Sequence, residues 1–314
     1  MTKIILPAVC LLLTSVATCC GQSLEEKLKT IADSHKGVVA IAVKQLDTNE
    51  SCYLNADRVM PTASLIKLPI MIEAYRQAAV EDLDLQKLIS LRDEDKVPGS
   101  GVLTDHFSDK LQLPLIDCIQ LMIAHSDNTA TNLVLDEIGL PSTNRTMKRL
   151  GCPNTRVNAK VYRRDTSIAP EQSKQFGLGS TTAREMVRLL EQLDQGQLVN
   201  KASCDAMRRH LLTCQDQTKI ARLLPPGVSV AHKTGAVSRS RTDAGLIEGP
   251  SGTIAICVLT TDNEDRSWRD DNEANQLCGV LARAAYDHFN PTAAATARNQ
   301  PLAVGAFGEM VDRS

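Results

Sequence analysis

Thr62-Ala63-Ser64-Leu65-Ile66-Lys67-Leu68-Pro69-Ile70-Met71 places a serine and a lysine three residues apart at the head of an apolar run. In a first helical turn that spacing puts the two side chains on one face, with their roots roughly 5 to 6 Å apart. A serine hydroxyl is a poor nucleophile at neutral pH and needs a neighbouring base. A lysine becomes that base only if burial or nearby cations depress its pKa. At a helix entrance the backbone N–H of Ser64 is also free to point at a developing oxyanion. Pro69 fits such a placement, because only an early turn has N–H groups with no intrahelical partner to lose. Taken alone, the same residues also describe a capped helix bearing a solvated lysine.

Upstream, Lys3, the apolar run Ile4 to Val16 and the small residues Ala17-Thr18-Cys19-Cys20-Gly21 predict an export signal over residues 1–21. The apolar run is short for a membrane span of about 20 residues. The expected location is periplasmic or secreted, with lipid anchoring at Cys19 or Cys20 as the alternative. Composition points to no other class of partner. A formal charge of -2 gives no reason to invoke nucleic acid or an anionic membrane. At 43% hydrophobic residues the chain can build a substantial core.

Beyond the signal lie Cys52, Cys118, Cys152, Cys204, Cys214, Cys257 and Cys278. This odd set leaves at least one thiol unpaired and contains no C-x-x-C pair. Cys204 and Cys214 can be bridged only if a turn brings them together, since one helix through both would separate them by about 15 Å. The histidines at 35, 106, 125, 210, 232 and 288 show no ligand-like spacing, so neither metal nor cofactor is expected.

Apolar periodicity predicts an amphipathic helix from Ser23 to Ser34, a buried strand from Gly37 to Gln45 and a hairpin partner from Ser51 to Asn55. Residues 80–222 read as mainly helical, with a glycine-bearing loop at Lys96-Val97-Pro98-Gly99-Ser100-Gly101-Val102 that either walls a cleft or turns a corner. Strands are expected near 227–234, 241–248 and 252–260, followed by a closing helix from Ala274 to Phe289 and a disordered tail over 291–314.

Two further stretches carry polar groups suited to chemistry. His125-Ser126-Asp127-Asn128-Thr129-Ala130-Thr131-Asn132 lies between apolar helices, where its short polar residues can cap a helix or pass a proton and bind an amide. Val228 to His232 alternates as a strand and runs into Lys233-Thr234-Gly235-Ala236. There a cation, a hydroxyl, a residue without a side chain and a free N–H line one edge, suiting an extended substrate that bears a carboxylate.

In the order S-x-x-K, S-D-N, K-T-G, at spacings of about 60 and about 105 residues, these stretches resemble the active-site serine penicillin-recognising enzymes, and most of all class A β-lactamases. The resemblance covers residues 22–290. It implies an α+β fold: an antiparallel sheet flanked by the terminal helices (22–63 and 223–290), a helical lobe (64–222) and the site between them. It implies Ser64 as the acylated nucleophile, Lys67 as its base, Ser126 as proton relay and Asn128 as a ligand of substrate and Lys67. Lys233 and Thr234 bind the carboxylate, Gly235 permits close approach, and the N–H groups of Ser64 and Ala236 form the oxyanion hole. Asn132 matches a structural asparagine of the family. Arg239 or Arg241 is a candidate second cation. The expected partner is a small molecule bound by a monomer.

The family's deacylating glutamate, within E-x-x-L-N, has no counterpart in Val161-Tyr162-Arg163-Arg164-Asp165-Thr166-Ser167-Ile168-Ala169-Pro170-Glu171-Gln172. Asp165 and Glu171 are the candidate substitutes, with a loop-stapling ion pair among Arg163, Arg164 and Asp165 as the competing role. The expected activity is β-lactam hydrolysis. The alternatives are a D-Ala-D-Ala peptidase or esterase that β-lactams acylate, and a non-catalytic binding relative.

Overall fold

The computed structural model describes residues 22–291, so the expected export signal and nearly all of the expected tail lie outside the described residues. The chain opens with α1 (Leu24–Asp33), whose start is fixed by a capping box: Ser23 accepts from the Glu26 N–H while the Glu26 carboxylate accepts from the Ser23 N–H. Strands β1 (Val38–Gln45) and β2 (Ser51–Leu54) follow, then α2 (Lys67–Val80). The helical lobe continues through α3 (Leu115–Ala124), α4 (Asn128–Ile138), α5 (Leu140–Arg149), α6 (Ala183–Asp194) and α7 (Lys201–Leu212). The chain then returns to the sheet as β3 (Val230–Val237), β4 (Ser240–Gly249) and β5 (Gly252–Thr261), and closes with α8 (Glu273–Phe289).

These five strands form one sheet in the order β2-β1-β5-β4-β3, with every neighbouring pair antiparallel, and shorter strands make a three-stranded and a two-stranded sheet beside it. Both faces are covered, which is why the strands read as apolar runs rather than as half-polar alternation. Ile41, Val43, Ile254, Ile256 and Val258 face one way, into a core shared with Leu24, Leu28, Leu281 and Tyr286 of the terminal helices. The small residues Ala40, Ala42, Ala231, Ala244 and Ala255 face the other way, towards the helical lobe. Their short side chains let that lobe approach the sheet closely and bring the 62–67 turn against β3. Among the described residues no helix is long and apolar enough to cross a membrane.

Cys204 lies inside α7 and Cys214 two residues beyond its end. Both are free, as are the other five described cysteines.

Candidate active site

Ser64 sits on a 3-10 turn, Ala63–Ile66, that runs directly into α2. The turn is entered through a left-handed Ala63 (φ 46°), a conformation that costs an alanine roughly 1 to 2 kcal/mol and needs surrounding contacts to hold it. Those contacts come from both sides. The Thr62 N–H donates to Gly179 O at 3.0 Å, and the Thr242 hydroxyl of β4 donates to Thr62 O at 2.8 Å. Pro69 is the third residue of α2, where no N–H is needed. Gly235 of β3 lies flat against the turn: a Cβ there would come 2.7 Å from Thr62 O and 2.9 Å from Leu65 N. Only glycine lets the strand lie so close to the turn that carries Ser64.

Lys67 is fully buried, and its Nζ donates to Ser126 O at 2.5 Å and to Asn128 Oδ1 at 2.9 Å, with Ser126 Oγ at 3.2 Å. The half-buried Ser64 hydroxyl is not one of its hydrogen-bond partners. Burial holds the amine well below the ordinary lysine pKa; the charge of Lys233 lowers it further, and Asp127 opposes. An amine so placed gives up its proton more readily than an ordinary lysine.

The corner that carries Ser126 is built by Asp127, the N-cap of α4. One carboxylate oxygen accepts from the Ala130 N–H at 2.8 Å, the other from the N–H groups of Val102 and Leu103 at 2.7 and 2.8 Å. Ser126 itself is left-handed (φ 52°), which turns its side chain and carbonyl towards Lys67. The 96–102 loop walls the cleft: Ser100 O accepts from the Asn128 N–H at 2.9 Å and Pro98 O from Asn128 Nδ2 at 3.0 Å. Lys233 is also fully buried, donating to Thr234 O at 2.8 Å, and burial lowers its pKa. Thus Lys67, Ser126 and Asn128 meet through hydrogen bonds, Lys233 is close enough to act on the charge of Lys67, and Gly235 touches the Ser64 turn.

Three sequence candidates lie apart from this cluster. Arg241 does not face it as a carboxylate ligand: its guanidinium donates to the carbonyls of Val237, Ser240 and Ser267 and lies 5.0 Å from the centre of the Trp268 ring, tying β4 to the segment before α8. Arg239 pairs with Asp262 at 2.7 Å on the exposed surface. Glu171 is likewise exposed and pairs with Lys174 at 2.7 Å.

Asp165 is exposed and makes no ion pair among the described residues, so the expected staple with Arg163 or Arg164 is replaced by others. Arg163 donates to Glu94 O, Lys160 pairs with Asp136, and the Asn132 side chain clamps Val161 by both backbone groups, at 2.8 and 3.0 Å. The loop residue clamped to α4 is therefore a buried valine.

Other contributors gave no readable signal in the sequence. Tyr162 is left-handed (φ 57°) and its hydroxyl lies beside Gly99 at the mouth. Behind Lys233, His232 Nδ1 lies 3.1 Å from both carboxylate oxygens of Asp243. A His in one strand and an Asp in the next show no local spacing that would announce the pair.

The profile of the Beta-lactamase enzyme family matches residues 23–289. Extended-spectrum beta-lactamase PER-1 of Pseudomonas aeruginosa is 24% identical over 274 residues, 84% of this chain and 86% of its own length. Among solved structures, a beta-lactamase from Sphaerobacter thermophilus DSM 20745 is 30% identical with a TM-score of 0.74, covering 83% of this chain and 96% of its own. PBP-A shares the fold, at 23% identity and a TM-score of 0.75 over 85% of this chain and 95% of its own; a variant of it has been solved as an acyl-enzyme complex with penicillin G. With the profile spanning almost every described residue, from the helix before the sheet to the helix that closes it, the chain belongs to the beta-lactamase enzyme family.

Proposed function

We infer that the protein hydrolyses β-lactams through a covalent acyl-enzyme on Ser64. Uncharged Lys67 accepts the Ser64 proton as the hydroxyl attacks the amide carbonyl, and Ser126 passes a proton to the departing ring nitrogen. The N–H groups of Ser64 and Ala236 hold the oxyanion, each worth on the order of 3 to 4 kcal/mol in the transition state. Lys233 and Thr234 take the substrate carboxylate, and Asn128 orients Lys67 and the substrate amide.

The observation that carries this reading is the burial of Lys67 against Ser126 and Asn128. A protein that only bound a ligand would gain nothing from a desolvated amine held against a serine and an asparagine. With Asp165 exposed and Glu171 paired to Lys174, the base for the deacylating water is Lys67 itself, free again once the ring nitrogen has left.

The same two carboxylates favour one second reading: a penicillin-binding enzyme, acting on D-Ala-D-Ala peptides, that β-lactams acylate without fast turnover. Residues 1–21 act as an export signal that delivers the enzyme, a monomer, to the periplasm or the exterior. Incubation with a chromogenic cephalosporin, followed by turnover and by intact mass, separates the readings. Many turnovers per enzyme support the hydrolase, a persistent adduct the penicillin-binding enzyme, and neither signal would overturn both.

A further inference from the structure

Where the end of α2 meets α5, a cavity of about 530 Å³ is lined by Arg76, Glu81, Ser142, Arg145, Lys148 and Arg149. Arg76 lies nine residues beyond Lys67 on α2, about 14 Å along the helix axis, so this cavity is distinct from the cleft that holds Ser64.

Arg76 is the fixed cation of the cavity. Its side chain is 13% exposed; Nε and Nη2 donate to the two oxygens of the fully buried Glu73, both at 2.8 Å, and Nη1 pairs with Glu81 at 2.9 Å. From α5 the Ser142 hydroxyl donates to the same Glu73 carboxylate at 2.6 Å. Glu73 thereby joins the two helices that line the cavity and holds the Arg76 guanidinium in one orientation.

Arg145, Lys148 and Arg149 have no comparable partner. All three are exposed, and none is paired with a carboxylate among the described residues; Arg149 donates to the Thr146 hydroxyl at 2.8 Å. Residues three and four apart share a helix face, and like charges so placed destabilise the helix. The negative end of the helix dipole offsets this for Lys148 and Arg149, which lie in the last turn, but not for Arg145. Four cations therefore face two carboxylates, both already paired with Arg76, and the cavity keeps an excess of two positive charges.

We propose that this cavity is a binding site for a phosphate monoester, carried by a small solute or by a lipid headgroup. Such a group carries close to two negative charges at neutral pH, which matches the excess, and guanidinium forks meet its oxygens in pairs. Once bound, it relieves the repulsion between Arg145 and its two neighbours. With a formal net charge of -2 the protein has no general attraction for polyanions, so the recognition is local, and the volume suits a small ligand rather than a strand of nucleic acid. The binding does not depend on the β-lactam reading.

The test uses the intact protein with inorganic phosphate as the probe, set against sodium chloride at equal ionic strength. Phosphate at about ten times its half-saturating concentration should raise the melting temperature by about 2 to 3 °C over the chloride control. At that concentration it should slow the acetylation of Lys148, read by peptide mass mapping, by about tenfold, while the exposed Lys29 and Lys201 react as before. Arg145→Gln combined with Arg149→Gln, both on the surface, should weaken phosphate binding at least about tenfold. In the wild-type protein, no rise beyond chloride or no protection of Lys148 would overturn the site, whether or not the variant folds. A rise that survives in the double variant would place the phosphate elsewhere and overturn it as well. Sedimentation with phosphatidic acid vesicles, against phosphatidylglycerol vesicles, separates the sources. Pelleting with phosphatidic acid alone assigns the lipid headgroup, and phosphate binding without pelleting assigns the small solute. Equal pelleting with both lipids would show attraction to charge without recognition of a monoester, and would overturn the ligand class.

Discussion

Lys67 Nζ lies 2.9 Å from Asn128 Oδ1, so the first residue of α2 is tied to the first residue of α4 across the floor of the cleft. Neither residue would be buried comfortably without the other. An isolated amine would lose hydration with nothing in return, and the amide oxygen would be left unpaired. Joined, they fix the amine at the floor of the cleft and aim its remaining contacts at Ser126.

Because burial and Lys233 push the Lys67 pKa down, the amine is deprotonated at pH values where an ordinary lysine carries a proton. Acylation by penicillin should therefore persist at neutral pH and decline as acid protonates the amine. Lys67→Ala should lose about 10² to 10⁴ in acylation rate. Stopped-flow acylation across pH measures both, and an unchanged rate in Lys67→Ala would remove the lysine from the mechanism.

Gly235 has no room for a side chain against Thr62 O and Leu65 N. Gly235→Val should push β3 away from the Ser64 turn and misplace the second oxyanion donor. The expected loss is roughly 10²-fold in acylation, with the fold retained by circular dichroism. Full activity in a folded Gly235→Val protein would show that the contact does not matter.

With Asp165 and Glu171 on the exposed surface, neither is expected to activate the deacylating water. Asp165→Asn and Glu171→Gln should each leave the deacylation rate within about twofold, since surface changes away from the chemistry have small effects. A fall of tenfold or more in either variant would return that carboxylate to the mechanism.

Glu73 is a stability element of the helical lobe. Burial would raise its pKa, but hydrogen bonds from Arg76, Ser142, Gln77 and Thr146 outweigh that and hold it at about 2, below the ordinary 4.5. The carboxylate therefore contributes stability that is fully present above the unfolded value and is lost as pH falls from about 4.5 towards 2. The amount is about 3 kcal/mol. Denaturant titrations over that range should show the decline, and Glu73→Gln should flatten it.

Arg241 donates to Val237 O and Ser240 O of its own hairpin and, through Ser267 O, joins β4 to the segment before α8. Arg241→Ala should cost about 1.5 to 3 kcal/mol, the range for hydrogen bonds to a charged group. The KM for a cephalosporin should stay within about twofold. A large rise in KM without loss of stability would restore Arg241 as a carboxylate ligand.

Much of the fold was legible because it follows from patterns a few residues long. The capping box at Ser23 and Glu26, the apolar run of β1 and the early Pro69 each have a local physical cause. The Lys67 cluster was legible for a different reason: its residues lie in short motifs whose order along the chain is itself informative. Arg241 misled because its position on the strand after Lys233-Thr234-Gly235 says nothing of which way its side chain turns, and Trp268 and Ser267, which hold it, lie far along the sequence. The clamp on Val161, the Tyr162 contact with Gly99 and the His232–Asp243 pair were hidden for the same reason: each joins residues without a shared local pattern.

The account stands most directly on where a β-lactam becomes attached. Intact-mass and peptide mapping after a brief reaction with penicillin G should show one added penicilloyl group, located on Ser64, and no adduct in Ser64→Ala. An adduct on any other residue, or one that survives in Ser64→Ala, would contradict the mechanism at its first step.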